Sequence, residues 1–186
     1  MEQLVNRIKT EAIIKNEKIL DVSGFFNTRI DPQLMHALGH DFHDHFQSLE
    51  FDLYVTVESS GIAPTLSASI ASQKPMVVIK KEMTSKQSDD IVQIPCYSYT
   101  KDHTFYLTVQ RLHIAGKRIV LIDDFLADGN VLDATIALLH QSGAQVCGLG
   151  ICIAKTFQKG YEKALNLHIP LVLQAKVLSL SPLVVE

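Results

Sequence analysis

Branched apolar residues in this chain fall into short, nearly unbroken runs, each closed by a polar or glycine-containing turn. The runs 53–58, 75–80, 119–123, 145–154 and 172–180 read as strands; 119–123 is continuously apolar, which predicts burial on both faces, and 145–154 reads as another buried strand. Helical spacing separates them. It predicts helices over 2–16, with Leu4, Val5, Ile8, Ala12 and Ile13 on one face, from Gly61 to about Ser72, from Asn130 to a stop at Gly143, and over 159–168. Asp31-Pro32 is a helix start, an N-cap carboxylate followed by proline at the first helical position. Leu34, Met35, Leu38, Phe42, Phe46 and Leu49 make the apolar face of the helix that follows. Between the first two helices, 20–30 breaks the pattern yet carries Phe25 and Phe26, which either plug the loop onto the body or wall a pocket for a flat ligand. Residues 91–99 and 105–112 read as two strands of a hairpin turned by 100–103, and the polar stretch 83–89 before it reads as a mobile loop.

The alternation of strands and helices from 53 to 155 calls for an α/β fold, a mostly parallel central sheet flanked by helices. With 186 residues the chain reads as a single domain spanning 1–186. A net charge of −3 gives no footprint for nucleic acid, and no apolar run is long enough to cross a membrane. The first eighteen residues lack the apolar centre of a signal peptide. Cys96, Cys147 and Cys152 sit in strand-like runs with no C-x-x-C, so they read as buried reduced thiols, pointing to the cytoplasm.

Most of the chemistry lies in 118–131, RIVLIDDFLADGNV. Its apolar run ends in Asp123 and Asp124, a loop over 125–129 follows, and Asn130 opens a helix. The first turn of a helix has unpaired N–H groups and the positive end of the dipole, so this junction suits a phosphate. Two carboxylates at a strand end accept hydrogen bonds from vicinal hydroxyls, or bind a hard divalent cation. Sugar hydroxyls and phosphate read by one loop indicate a phosphorylated ribose. No G-x-x-x-x-G-K-[ST] and no G-x-G-x-x-G after a strand is present, so the site is neither a P-loop nor a Rossmann fingerprint. Ser59-Ser60-Gly61 makes a second turn of the same kind, and Lys80-Lys81 ends the strand 75–80, where the pair could neutralise a polyanion. Lys155 and Phe157 follow the strand 145–154 as either a ring-reading pair or a surface lysine beside a core aromatic. His36 and His40 stand four residues apart without a third ligand in view, and with His43 they read as a solvated face.

LIDDFLADGN resembles the phosphoribosyl-pyrophosphate (PRPP) motif of the type I phosphoribosyltransferases. VTVESSGIAP at 55–64, VVIKKE at 77–82 and IAKTFQKG at 153–160 are similar, in the same order, to segments of the bacterial xanthine branch of that family. The resemblance covers nearly the whole chain. It implies a type I phosphoribosyltransferase fold with a small hood, from about 1–30 and 155–186, over the sheet, and a flexible loop or hairpin that closes on the site. It implies displacement of pyrophosphate from C1 of PRPP by a ring nitrogen of xanthine, with Mg²⁺ held mainly through PRPP and not by a protein cage, and a cytoplasmic homodimer. By the same resemblance Asp123 and Asp124 are catalytic, Leu20, Asn27 and Lys155 contact xanthine, and Ala127, Asp128, Gly129, Asn130 and Val131 bind the 5-phosphate of PRPP. Ser59, Ser60, Gly61 and Lys81 fall to the pyrophosphate.

Two positions depart from related patterns. Hypoxanthine-guanine enzymes place an Asp where this chain has Ala127, whereas the adenine and xanthine branches have Ala; Asp128 stands where Thr or Asn is usual. Guanine or hypoxanthine as main base remains an alternative, and so does a PRPP-sensing regulator of the same fold, although the acidic balance and the lack of a helix-turn-helix domain weigh against the regulator.

Overall fold

Strand β7 (Arg118–Leu126) lies inside the sheet with a parallel neighbour on each side, β3 (Leu53–Val57) and β8 (Gln145–Lys155). The structure is a computed structural model that describes residues 1–85, 88–98 and 103–186. Its main sheet has eight strands in the order β10-β9-β8-β7-β3-β4-β6-β5, where β4 is Met76–Glu82, β5 Ile91–Ser98, β6 His103–Gln110, β9 Leu171–Leu180 and β10 Leu183–Val185. The run β4-β3-β7-β8-β9 is parallel, while β10 at one edge and the β5–β6 hairpin at the other are antiparallel.

Both faces of the sheet are covered, which is why its inner strands carry no polar stripe. Tyr54, Val120, Ile122 and Cys152 face one core with α1 (Glu2–Glu11), α2 (Pro32–Phe46) and α3 (Ile62–Ser72). Val55, Val57, Leu121 and Ile151 face the other, with α4 (Asn130–Gln141), α5 (Lys159–Leu165) and the hairpin. Asp31 caps α2 as its sequence predicts, accepting from the N–H groups of Gln33 and Leu34.

The first helix is shorter than its apolar spacing predicts. It stops at Glu11, and Ile13–Lys15 (β1) pairs antiparallel with Ile19–Asp21 (β2). Ile13 and Ile14 are β-branched and favour a strand, and Asn16 and Glu17 take positive φ values of 51° and 56° in the turn between them. The Lys15–Asp21 ion pair closes this small hairpin. Phe25 and Phe26 are fully buried in the core, so they plug the loop rather than wall a pocket. Arg7 lies over the Phe25 ring at 4.9 Å and bonds Asp31 at 2.8 Å, tying α1 and the loop to the start of α2.

Other boundaries also move. The strand expected over 119–123 runs on to Leu126, the one expected over 75–80 reaches Glu82, α5 ends at Leu165, and β10 is an element the sequence reading lacked. Residues 86 and 87 of the loop expected over 83–89, and 99–102 of the hairpin turn, lie outside the described residues. The segment 171–180, expected in the hood, is a strand of the main sheet, against which α1 packs. Cys96 and Cys152 are buried free thiols, whereas Cys147 is partly exposed. His36 and His40 are exposed, their ring centroids 4.2 Å apart, and among the described residues no three His, Cys, Asp or Glu side chains group to hold a metal ion.

Helices α2 and α3 cross at Gly39, where an added Cβ would overlap the side chain and backbone of Ser67. A mid-helix glycine is unfavourable by about 1 kcal/mol relative to alanine, so this contact outweighs helix propensity. Gly39→Ala is expected to destabilise the protein by about 1–3 kcal/mol, the usual cost of overpacking. A melting curve checks this: a Tm at or above the wild-type value would show that the helices separate freely.

Candidate active site

Four parallel strands end along one rim, and the polar residues of interest stand on it, as ligand-binding residues do beyond the C-terminal ends of an open α/β sheet. Strand β7 brings Asp123 and Asp124, the turn after β3 brings Ser59, Ser60 and Gly61, β4 brings Lys80 and Lys81, and β8 brings Lys155. Because β7 continues to Leu126, the aspartates lie within its last turn of pleat rather than beyond its tip, and the loop before α4 shrinks to Ala127–Gly129.

The two aspartates are partly buried. Asp123 Oδ1 accepts the Asp124 N–H at 3.0 Å. Desolvation pushes the Asp123 carboxyl well above its ordinary range, and the neighbouring Asp124 charge adds to this; the Asp124 N–H and the more distant Lys81 charge oppose it without prevailing. Gly61 at the start of α3 makes the link to the turn after β3. A Cβ there would overlap the Thr56 hydroxyl and stand 3.4 Å from Asp123 Oδ1, so only glycine lets this turn lie so close to the carboxylate.

Glu58 organises the lysines, which the sequence reading did not foresee. Its carboxylate accepts the Lys81 N–H at 2.6 Å and the Lys80 ammonium at 3.1 Å. Burial works against the Glu58 charge, but these partners outweigh it and hold the carboxyl below its ordinary range. Strand alternation sends Lys81 to the other face, where its Nζ lies 5.7 Å from the centre of the Phe105 ring. The only sequence signal for the clamp is a glutamate placed just before a serine-serine-glycine turn.

The loop Ala127–Gly129 is braced from behind. Gly129 has φ 79°, a left-handed value that favours glycine, and a Cβ there would fall 2.8 Å from the Gly160 Cα. Gly160 N–H donates to the Ala127 carbonyl at 2.9 Å, and a Cβ on Gly160 would overlap that oxygen. Two glycines thus let α5 press on the loop and aim the first turn of α4. Asn130 and Val131 form that turn, Ala127 is partly buried, and the Asp128 side chain is exposed. Gly160, too, is a residue that spacing alone did not reveal.

The three residues expected to contact the base are placed differently from one another. Leu20 is buried in β2, Asn27 is exposed at the end of the Ser23–Asn27 turn, and Lys155 sits at the end of β8 with Nζ donating to the Lys18 carbonyl at 3.2 Å. Lys155 therefore bridges the sheet to the β1–β2 hairpin. Burial lowers its pKa, and the Asp128 charge opposes that shift. Phe157 is 50% exposed, a free aromatic face rather than a core residue.

No family model matches the chain. A xanthine phosphoribosyltransferase of Clostridium acetobutylicum is 39% identical over 161 residues, which are 86% of this chain and 85% of that protein. One from Oenococcus oeni is 37% identical over 94% of this chain and 85% of its own length, and one from Bacillus licheniformis is 35% identical over 97% and 94%. Among solved structures, an adenine phosphoribosyltransferase of Thermoanaerobacter pseudethanolicus superposes with a TM-score of 0.74 at 20% identity, covering 92% of this chain and 99% of that one. That of Giardia lamblia, in complex with 9-deazaadenine, gives 0.74 at 18% identity, covering 92% and 97%. These neighbours establish the type I phosphoribosyltransferase fold.

The Asp123 environment has a consequence for stability. A carboxyl whose pKa is raised on folding binds its proton more tightly in the folded state. Stability is therefore lost as pH rises from the unfolded value, about 3.9, through the raised folded value. Asp123→Asn removes that penalty, so the ligand-free variant should melt above wild type near neutral pH, with the gain vanishing toward pH 3. Melting curves across that range check it; a pH-independent gain, or a loss, would show that Asp123 is already well solvated.

Proposed function

The chain belongs to the xanthine phosphoribosyltransferase family, and we propose the roles that its residues play in that family's reaction. The enzyme transfers the 5-phosphoribosyl group of PRPP to xanthine in purine salvage, releasing xanthosine 5′-monophosphate and pyrophosphate. The observation that carries the assignment is the Asp123–Asp124 pair standing between two anion-receptive turns on adjacent parallel strands.

In this reading the N–H groups of 127–131 hold the 5-phosphate at the start of α4, and Ser59, Ser60 and Gly61 hold the pyrophosphate at the start of α3. Asp123 and Asp124 accept the ribose hydroxyls between them. A ring nitrogen of xanthine bonds to C1 as the C1–oxygen bond to pyrophosphate breaks, and the electron pair leaves with pyrophosphate. Ala127 has no side-chain base, so the ring proton passes to another group or to water. Catalysis is then alignment of the two reactants with charge stabilisation of the departing group. The hard carboxylates of Asp123 and Asp124 suit Mg²⁺, which in this reading would be held mainly through substrate phosphates and water. When bound, Mg²⁺ would neutralise charge on the pyrophosphate.

Lys155 reads the 6-carbonyl in this account, leaving the Lys18 carbonyl when a base arrives, and Asn27 faces the 2-position edge. Leu20, with its side chain in the core, acts through its backbone or by supporting the hairpin. Self-association as a homodimer belongs to the same reading. Its support is α3, which has no charged residue and turns Leu66 and Ile70 outward. The free thiols support a reducing, cytoplasmic setting.

The deciding experiment supplies PRPP, Mg²⁺ and xanthine, guanine or hypoxanthine, and follows nucleotide and pyrophosphate. Xanthine should give the highest kcat/KM, and Asn27→Leu should reduce it more for xanthine than for hypoxanthine. Equal losses would make Asn27 a structural residue of its loop, and a wild type preferring hypoxanthine would overturn the choice of base. Asp128→Asn removes a charge beside the 5-phosphate, so PRPP affinity should hold or rise, by on the order of 1 kcal/mol for a partly screened charge at ~6 Å. A sharp drop in affinity would give Asp128 a constructive role.

A further inference from the structure

The Thr56 hydroxyl is wholly inaccessible and has no hydrogen-bond partner among the described residues. Leaving a buried hydroxyl unpaired costs about 1–3 kcal/mol, so its position calls for a reason. Thr56 is the next-to-last residue of β3, on the face shared with Tyr54, in a strand whose other residues are apolar or aromatic. Valine has the same shape and would satisfy that core without the penalty.

The reason lies in what the hydroxyl touches. It packs beneath Gly61, occupying the space that a Cβ there would need, and the same point is 3.4 Å from Asp123 Oδ1. The hydroxyl and the carboxylate therefore flank one glycine at the base of the turn. Asp123 has one local donor, the Asp124 N–H, against desolvation and the Asp124 charge. An accepting carboxylate that is to meet ribose hydroxyls must be ionised, and a further donor favours that form.

We propose that Thr56 is a positioning residue of the phosphoribosyl site, its hydroxyl donating to the Asp123 carboxylate when PRPP seats between the two turns. The inference rests on the proposed role of Asp123 in binding PRPP. In the ligand-free protein the hydroxyl has no partner among the described residues, with Gly61 between it and its proposed acceptor; on binding, the carboxylate turns toward it and the hydroxyl is satisfied. Thr56 contributes nothing to the base, so its effect belongs to the PRPP side of the reaction alone.

Thr56→Val and Thr56→Ser test this in the intact enzyme. Thr56→Val keeps shape and loses the donor, so the ligand-free Tm should be unchanged or higher while KM for PRPP rises roughly tenfold or more, the loss expected for a hydrogen bond to a charged group. KM for xanthine should stay at the wild-type value, and Thr56→Ser should restore most of the PRPP affinity. Wild-type KM for PRPP in Thr56→Val overturns the proposal, as does a lowered Tm with equal kinetic losses in both variants, which is the signature of packing. If Asp123→Asn leaves PRPP kinetics unchanged while the wild type is active, the role of Asp123 fails first and this inference with it.

Discussion

Two carboxylates side by side near the end of a strand buried on both faces are the constraint on which the site depends. Left to themselves, adjacent desolvated charges would move apart or take up a proton. Here neither Asp123 nor Asp124 can move far, because β7 is hydrogen-bonded in parallel to β3 and β8, and its preceding residues fill both cores. The sheet holds the carboxylates at the rim and the packing energy of the two cores offsets their unfavourable environment. Sites that persist only because the surrounding structure over-determines them are typical of functional positions.

Glycine then sets how closely the two strand-to-helix turns approach those carboxylates. Gly61 brings the turn after β3 against Asp123, while the Gly129–Gly160 contact presses the loop after β7 onto α5. The two contacts differ in kind. The first packs backbone onto the buried Thr56 hydroxyl, near the Asp123 carboxylate, and the second is backbone against backbone, reinforced by the Gly160–Ala127 hydrogen bond. Together they convert two ordinary strand-to-helix turns into a pair whose spacing is fixed by contact distance rather than by loop length.

Much of this could be read from the sequence, and the parts that could not share a cause. Continuous apolar runs located the inner strands, and Asp31-Pro32 marked the start of α2 to the residue, because burial and capping act locally. The end of α1 was misread because Ala12 and Ile13 continue the helical spacing, while the hairpin that claims Ile13–Lys15 depends on pairing with residues further on. Strand β10 escaped for the same reason: three residues become a strand only by lying beside β9. At the site, Asp123, Asp124 and the two turns were visible as local motifs. The Glu58 clamp, the Gly160 brace and the Lys155–Lys18 bond join residues distant in sequence, which no single stretch displays.

Asp128 shows how a residue that is unfavourable for one part of a site can serve another. In the proposed site a carboxylate in the loop after β7 would repel the 5-phosphate, and its exposed position would leave that repulsion to be screened by water and salt. The same charge opposes the effect of burial on Lys155, favouring the ammonium form. An ammonium has three donors; once neutral it is a weaker donor and gains a lone pair that repels a carbonyl. The Asp128 charge thus favours the form of Lys155 that donates to the Lys18 carbonyl and that, in the proposed reading, would meet a ring carbonyl in its place. The loop after β7 and the β1–β2 hairpin are in this way linked through one lysine.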